Sequence, residues 1–198
     1  MEKQLIISIG REFGSGGHEI AEILAEKFDL KLYDKSLLQH IADERNVNVA
    51  HIEKYDEIPR NLLLSRTVRG YSNSVEENIA NMQFDFLKKR AAEGKSFVVV
   101  GRCSETILRN YSGLISMFIL GDWDNKIERV TRLYHMSAEE AENFIFRQDR
   151  KRKEYHNYYC KGKWGDSRNY DISVNSSKLG EKETAEMLAA YIMKRQES

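Results

Sequence analysis

Five short apolar runs, separated by stretches of helical periodicity, constrain this chain more than any other feature. They are residues 4–9 (QLIISI), 30–33 (LKLY), 96–100 (SFVVV), 114–120 (LISMFIL) and 170–174 (YDISV). Runs of this length, rich in β-branched residues, read as buried strands. Residues 18–28 place Ile20, Ile23, Leu24 and Phe28 on one helical face. Residues 103–110 read as a short helix, and 122–134, 137–158 and 181–194 as longer ones. Ser137, with Glu140 three residues on, predicts a capping box at the start of the second long helix. Residues 35–95 hold no convincing strand. They read as helices around 35–44, 48–54, 60–69 and 73–93, with turn signals near Asn46, Pro59 and Gly70. Strands alternating with helices predict an α/β fold with a parallel sheet covered by helices on both faces. Ligands of such sheets sit at the carboxyl ends of the strands. Arg11 to Gly17, Asp34, Arg102 and Asp122 all follow strand ends and so converge on one crevice.

Composition narrows the classes. Among 198 residues, 31 Lys and Arg balance 31 Asp and Glu. A neutral total argues against a nucleic-acid binder that works through bulk positive charge. No apolar stretch approaches the ~20 residues of a membrane span. The opening MEKQLIISIG is too short in its apolar part for a signal peptide. The two cysteines, Cys103 and Cys160, form no disulfide framework and no metal-spacing motif, so the simplest expectation is a reduced, cytoplasmic protein. No internal repeat is evident, and the length suits one elaborated domain.

The loop Gly14-Ser15-Gly16-Gly17 joins the first strand to the first helix. Glycine permits turns that point successive N–H groups inward, and a helix N-terminus adds positive potential, so this layout cradles phosphate. The other reading is a tight strand-to-helix turn with no ligand. The usual phosphate loop is GxxxxGK followed by Ser or Thr. With Gly14-Ser15-Gly16 aligned to its GSG portion, Gly17 stands where Lys is expected. His18 stands at the Ser/Thr position that holds magnesium, and Arg11 at the first Gly. Arg11, or a basic residue from elsewhere, must then supply the charge.

Residues 147–168 (RQDRKRKEYHNYYCKGKWGDSR) carry eight Lys and Arg against three acids, a local excess of +5, with Tyr155, Tyr158, Tyr159 and Trp164 interleaved. Three readings stand: a solvated helix face, a nucleic-acid patch with stacking aromatics, or a lid whose arginines close over transferring phosphates.

REFGSGGHEIA, LYDKSLL, VVVGRCSETIL, the Arg-rich stretch and YDISVNSSKLG occur in this order along nearly the whole chain. In this order they resemble the cytidylate-kinase-like proteins, relatives of the bacterial cytidylate kinases among the nucleoside monophosphate kinases. The resemblance implies a five-stranded parallel sheet of P-loop kinase type in a single kinase-like domain. Its core would be residues 1–34, 96–146 and 169–198, with a helical acceptor-binding insertion at 35–95 and an Arg-rich lid at 147–168. It implies transfer of the γ-phosphate of ATP to CMP or dCMP with magnesium, with nucleotides as partners and neither nucleic acid nor membrane. Gly14, Ser15, Gly16, Gly17 and His18 match the donor-phosphate loop. Asp34 matches an acceptor-site aspartate, although it also suits the N-cap of a helix starting at Lys35. Arg102 matches an acceptor-phosphate contact, with Val100 replacing a carboxylate. Arg147, Asp149, Arg150 and Arg152 fall in the lid, and with Arg11 they would be catalytic. Asn175 begins the segment where adenine would rest, or an ordinary strand-to-helix loop. The substitutions at Gly17, His18 and Val100 keep two alternatives open, a nucleotide-binding regulator without catalysis and a kinase of another small acceptor.

Overall fold

The computed structural model describes residues 3–45, 48–52, 54, 56, 58, 67–68, 71–72 and 74–197. Five strands, β1 (Ile6–Arg11), β2 (Lys31–Tyr33), β5 (Phe97–Val100), β6 (Leu114–Leu120) and β7 (Ile172–Asn175), form one sheet in the order β2-β5-β1-β6-β7. Every pairing in it is parallel. The strand order reverses direction on either side of β1, which is where such sheets place their ligand crevice.

Alternation along β1 divides the core. Leu5, Ile7 and Ile9 face a layer made by α1 (Gly17–Lys27) and α8 (Gly180–Glu197), where Ile20, Leu24, Leu188 and Ile192 are fully buried. Ile6 and the neighbouring strands' Phe97 and Val99 face α2 (Leu37–Arg45), α4 (Val75–Ala92) and the short α5 (Ser104–Ile107). Each such side chain contributes about 1.5–3 kcal/mol on burial. On that second face Ser8 is buried too, and its hydroxyl shares a 2.6 Å hydrogen bond with Ser104.

All five expected strands are present, but β1 runs one residue past the glycine read as its end. Gly10 and Arg11 stay in register with Phe118 and Ile119. A Cβ on Gly10 would meet Phe118 at 2.7 Å, so this glycine serves close packing rather than strand termination. The expectation of no strand within 35–95 is corrected. β3 (Thr67–Val68) and β4 (Tyr71–Ser72) pair antiparallel, in keeping with the strand preference of β-branched and aromatic residues. The helix expected over 60–69 is therefore strand at 67–68, and residues 60–66 lie outside the described residues. So do the turn signals at Asn46, Pro59 and Gly70. Residues 49–52 form α3 (Val49–Ile52).

Two further helices lie between β6 and β7. α6 (Trp123–Tyr134) and α7 (Ala138–Tyr159) form a hairpin beyond the carboxyl end of β6. The capping box at its turn is present: Ser137 Oγ accepts from Glu140 N–H, and Ser137 N–H donates to the Glu140 carboxylate at 2.8 Å. Single 3-10 turns occupy Ser167–Asn169 and Ser176–Lys178. No helix among the described residues is long and apolar enough to cross a membrane.

Candidate active site

The glycine loop leaves β1 and enters α1 through two left-handed residues, Gly14 (φ 80°) and Gly16 (φ 73°), with Gly16 as the helix N-cap. Among the described residues, the N–H groups of Gly14, Ser15, Gly16, Gly17 and His18 have no hydrogen-bond acceptor. Five consecutive donors at a helix start form a concavity suited to an anion. Ser15 is buried, and its hydroxyl turns inward to the Glu12 carbonyl (2.9 Å).

A cavity of about 280 Å³ opens beside the loop. Of the residues singled out from sequence, Arg11, Gly14, Gly17, His18, Asp34 and Arg152 line it. A second cavity, about 180 Å³, lies on the other side of the loop against Ser15, Ser176 and Ser177. A third, narrow recess of about 20 Å³ holds Arg102, with Arg11 and Arg152 lining both it and the first. Three guanidinium groups thus border adjoining spaces at the strand ends.

Arg11 and Gly17 fit together. A Cβ on Gly17 would lie 2.6 Å from the Arg11 Cβ and 3.3 Å from that of Ile119. The arginine side chain stands where a side chain at position 17 would begin. Arg152 reaches back over the same segment. Its guanidinium carbon lies 5.2 Å from the Phe13 ring centre, and Nη1 donates to the Arg11 carbonyl at 3.5 Å.

Asp34 lies across the crevice. Its Oδ1 accepts from Ser36 N–H at 2.8 Å, and its Oδ2 is 3.6 Å from His18 Nε2. Burial works to raise this carboxyl, but the Ser36 hydrogen bonds and His18 overcome it and hold it below the ordinary carboxylate value. α2 begins at Leu37, so the expected cap of a helix starting at Lys35 is corrected: the Asp34–Ser36 contact is a local turn before the helix. His18, expected from the sequence at the place of a magnesium-binding hydroxyl, faces Asp34 and Glu22 (3.4 Å).

Arg102 is 3% exposed. Nη2 contacts Asp56 of the insertion at 2.8 Å and the Asp34 carbonyl at 3.5 Å. Gly101, Arg102 and Cys103 all adopt left-handed conformations (φ 74°, 59° and 54°). Two such non-glycine residues in succession cost of order 1–3 kcal/mol each and aim the arginine into the recess.

The rest of the basic segment divides by helical phase. Asp149 points inward and accepts from Phe13 N–H (2.6 Å) and Lys126 Nζ (3.0 Å). Burial pushes the Asp149 carboxyl up despite Lys126 and the Phe13 hydrogen bond. Arg147 lies over the Phe144 ring and Arg150 pairs with Glu154 at 2.8 Å. Neither is among the residues lining the crevice. Asn175 is turned away as well: its Oδ1 caps Ser177 N–H and its Nδ2 donates to Asp122. The neighbouring Ser176 hydroxyl instead binds the Ser15 carbonyl (2.6 Å), tying the glycine loop to β7.

Sequence reasoning missed Lys126 and Arg129, and gave Glu12 no role of its own. Lys126 is buried and bridges Glu12 Oε2 (3.1 Å) and Asp149 Oδ2 (3.0 Å). Arg129 borders both the first and the second cavity and pairs with Glu19 (2.5 Å) and Glu181. The signal was present in α6 as basic residues spaced three apart at 126, 129 and 132.

The model of the cytidylate kinase-like family matches residues 6–178. The chain belongs to the cytidylate kinase-like family. A solved structure of an uncharacterized protein from Eubacterium ventriosum is 39% identical, with a TM-score of 0.76 over 96% of this chain and 98% of that one. Two shikimate kinases share the fold at lower identity. The Bacteroides thetaiotaomicron enzyme has 13% identity and a TM-score of 0.56, covering 96% of this chain and 98% of its own. The Acinetobacter baumannii enzyme, solved with shikimate, has 12% identity and a TM-score of 0.55, covering 98% and 95%. A comparison with curated proteins gives no match. The five-stranded sheet is thus that of P-loop kinases.

Proposed function

We propose that this chain transfers the γ-phosphate of ATP to CMP, dCMP or a related small acceptor. The observation that carries the reading is the row of unpaired N–H groups from Gly14 to His18, set beside Arg11, Arg129 and Arg152. The amides and the α1 N-terminus hold the donor's phosphates. Arg11 takes the place of the missing lysine charge. Arg152, between the first cavity and the recess of Arg102, bridges donor and acceptor phosphates, and Arg102 holds the acceptor. Asp34 orients the acceptor from across the crevice. Phosphoryl transfer of this kind is positioning and charge stabilisation, and needs no nucleophile on the protein.

A magnesium ion brought in on the donor's phosphates would need only one carboxylate from the protein, and Asp34, which lines the cavity, would supply it, with water and phosphate oxygens filling the remaining positions. It would neutralise charge on the transferring group. The insertion 35–95 contributes Asp56 to Arg102, in keeping with an acceptor-binding part. The closing element is the α6–α7 hairpin, which carries Arg129 and Arg152, rather than residues 147–168 alone.

A coupled assay with ATP, magnesium and a panel of nucleoside monophosphates tests the proposal. Turnover with cytidine nucleotides supports it. Turnover with only another small acceptor moves the chain to a different kinase on this scaffold. ATP binding without turnover of any acceptor overturns the enzyme and leaves a regulator.

A further inference from the structure

Behind Arg102 the structure brings together Cys103, Glu105, His156 and Cys160. All four are at least nine-tenths buried, with exposures of 3%, 7%, 5% and 7%. Glu105, His156 and Cys160 each bring a ligand atom within 4.8 Å of the others. His156 Nε2 lies 2.8 Å from Glu105 Oε1, and Cys160 Sγ lies 3.8 Å from the same oxygen. Cys103 packs in the same buried cluster as Cys160. We propose that Glu105, His156 and Cys160, with Cys103 rotating in as the fourth ligand, form a binding site for one zinc ion, which clamps the turn bearing Arg102 to the end of α7.

Three of the ligands are nearly placed for a tetrahedral site. Zinc bonds of about 2.0–2.3 Å set ligand atoms about 3.3–3.8 Å apart, so Glu105, His156 and Cys160 need only small shifts, while the Cys103 thiol must rotate toward them. His156 and Cys160 are four residues apart and one above the other at the end of α7, with Cys160 N–H bonded to the His156 carbonyl (2.8 Å). Cys103 and Glu105 flank Ser104 at the start of α5. Outer partners are in place: the Thr106 hydroxyl donates to Glu105 Oε1 at 2.9 Å, and Asn157 Oδ1 lies 3.4 Å from His156 Nδ1.

Chemistry favours zinc over a bare polar cluster. Without metal, imidazole, hydroxyl and thiol all crowd one carboxylate oxygen. With metal, the ion replaces the proton between His156 and Glu105 and accepts both sulfurs. Two thiolates, one carboxylate and one neutral imidazole around a divalent ion leave a net charge of −1. That sign complements Arg102 and Arg152, which line the recess together with Cys103, Glu105 and His156. Mixed sulfur and nitrogen ligands in tetrahedral array select zinc over magnesium, so this site is distinct from the kinase crevice. Four protein ligands leave no open position, which makes its role structural.

The test titrates the reduced, chelator-treated full-length protein with Co2+, then with Zn2+. The expected result is one ion per chain, with a thiolate-to-cobalt charge-transfer band and intense four-coordinate visible bands, both bleached by zinc. Cys160→Ser and His156→Gln should weaken zinc binding by more than the ~10–100-fold that loss of an outer partner produces. The thermal midpoint of the wild type should rise with zinc and that of the variants should not. A wild-type protein whose cobalt spectrum lacks the thiolate band overturns the proposal, whether or not the variants fold. So does a band that survives in a folded Cys103→Ser/Cys160→Ser double variant. None of these readouts depends on kinase activity.

Discussion

At the scale of single residues, Arg11 and Gly17 behave as one exchange. The loop lacks a lysine side chain at 17, and the Arg11 Cβ fills the 2.6 Å approach where such a side chain would start. Restoring the usual residue by Gly17→Lys should therefore destabilise the chain by about 1–3 kcal/mol through overpacking. Adding Arg11→Gly should recover most of that loss, and urea unfolding of the two single variants and the double variant measures the coupling. The residues at 11, 17 and 18 were read in the sequence as departures from the usual phosphate-loop pattern. That two of them compensate sterically was not legible there, because it depends on the distance between a strand end and a helix start. Asp34 gives a second expectation. Its carboxyl is held below the ordinary value of 3.8 in the folded chain, so its contribution to stability is complete above that pH. The contribution is lost as the pH falls through the lower folded value. Asp34→Asn should thus lower the unfolding midpoint at neutral pH, and the gap to the wild type should close on acidification below 3.8. A gap that widens in acid would contradict the assigned hydrogen bonds.

For the elements, the informative one is α7. From composition alone, Arg147, Asp149, Arg150 and Arg152 were equivalent members of a charge run. Helical phase separates them. Ile145, Asp149, Arg152 and His156 recur at spacings of three and four and face the body of the protein, whereas Arg147 and Arg150 face outward. The phase was readable from Ile145, but which stripe faced the glycine loop depended on the hairpin's docking. Arg152→Ala should lower kcat by ~10²–10³-fold, the range for removing one charge-stabilising donor. Arg150→Ala should leave turnover unchanged and stability within about 0.5 kcal/mol. Equal losses from both would return the segment to a diffuse basic lid. Lys126 governs how α6 and α7 meet the loop, by joining Glu12 to Asp149. Lys126→Met strands two carboxylates in a half-buried setting. A loss of about 3 kcal/mol, the low end for a broken buried pair, is expected in chemical denaturation.

Across the whole molecule, the alternation of strands and helices made the five-stranded parallel sheet legible from the chain alone. The β3–β4 pair escaped because two-residue strands carry almost no periodic signal. The glycine loop is held from two sides, by Ser176 at the end of β7 and by Asp149 on α7. Adding ATP should accordingly slow amide hydrogen exchange in α6 and α7 as well as in the loop. Protection confined to Gly14–His18 would argue that the hairpin does not close. The sheet order also sets a timetable. β1 is the central strand, yet its neighbours Phe97–Val100 and Leu114–Leu120 follow it by roughly ninety residues or more. At ~5–20 residues per second, a ribosome making this chain leaves β1 without a partner for several seconds. For that interval Ile6, Ile7 and Ile9, later the driest part of the molecule, are exposed to water or to a chaperone. The residues that anchor the mature kinase fold are the ones its synthesis must shelter longest.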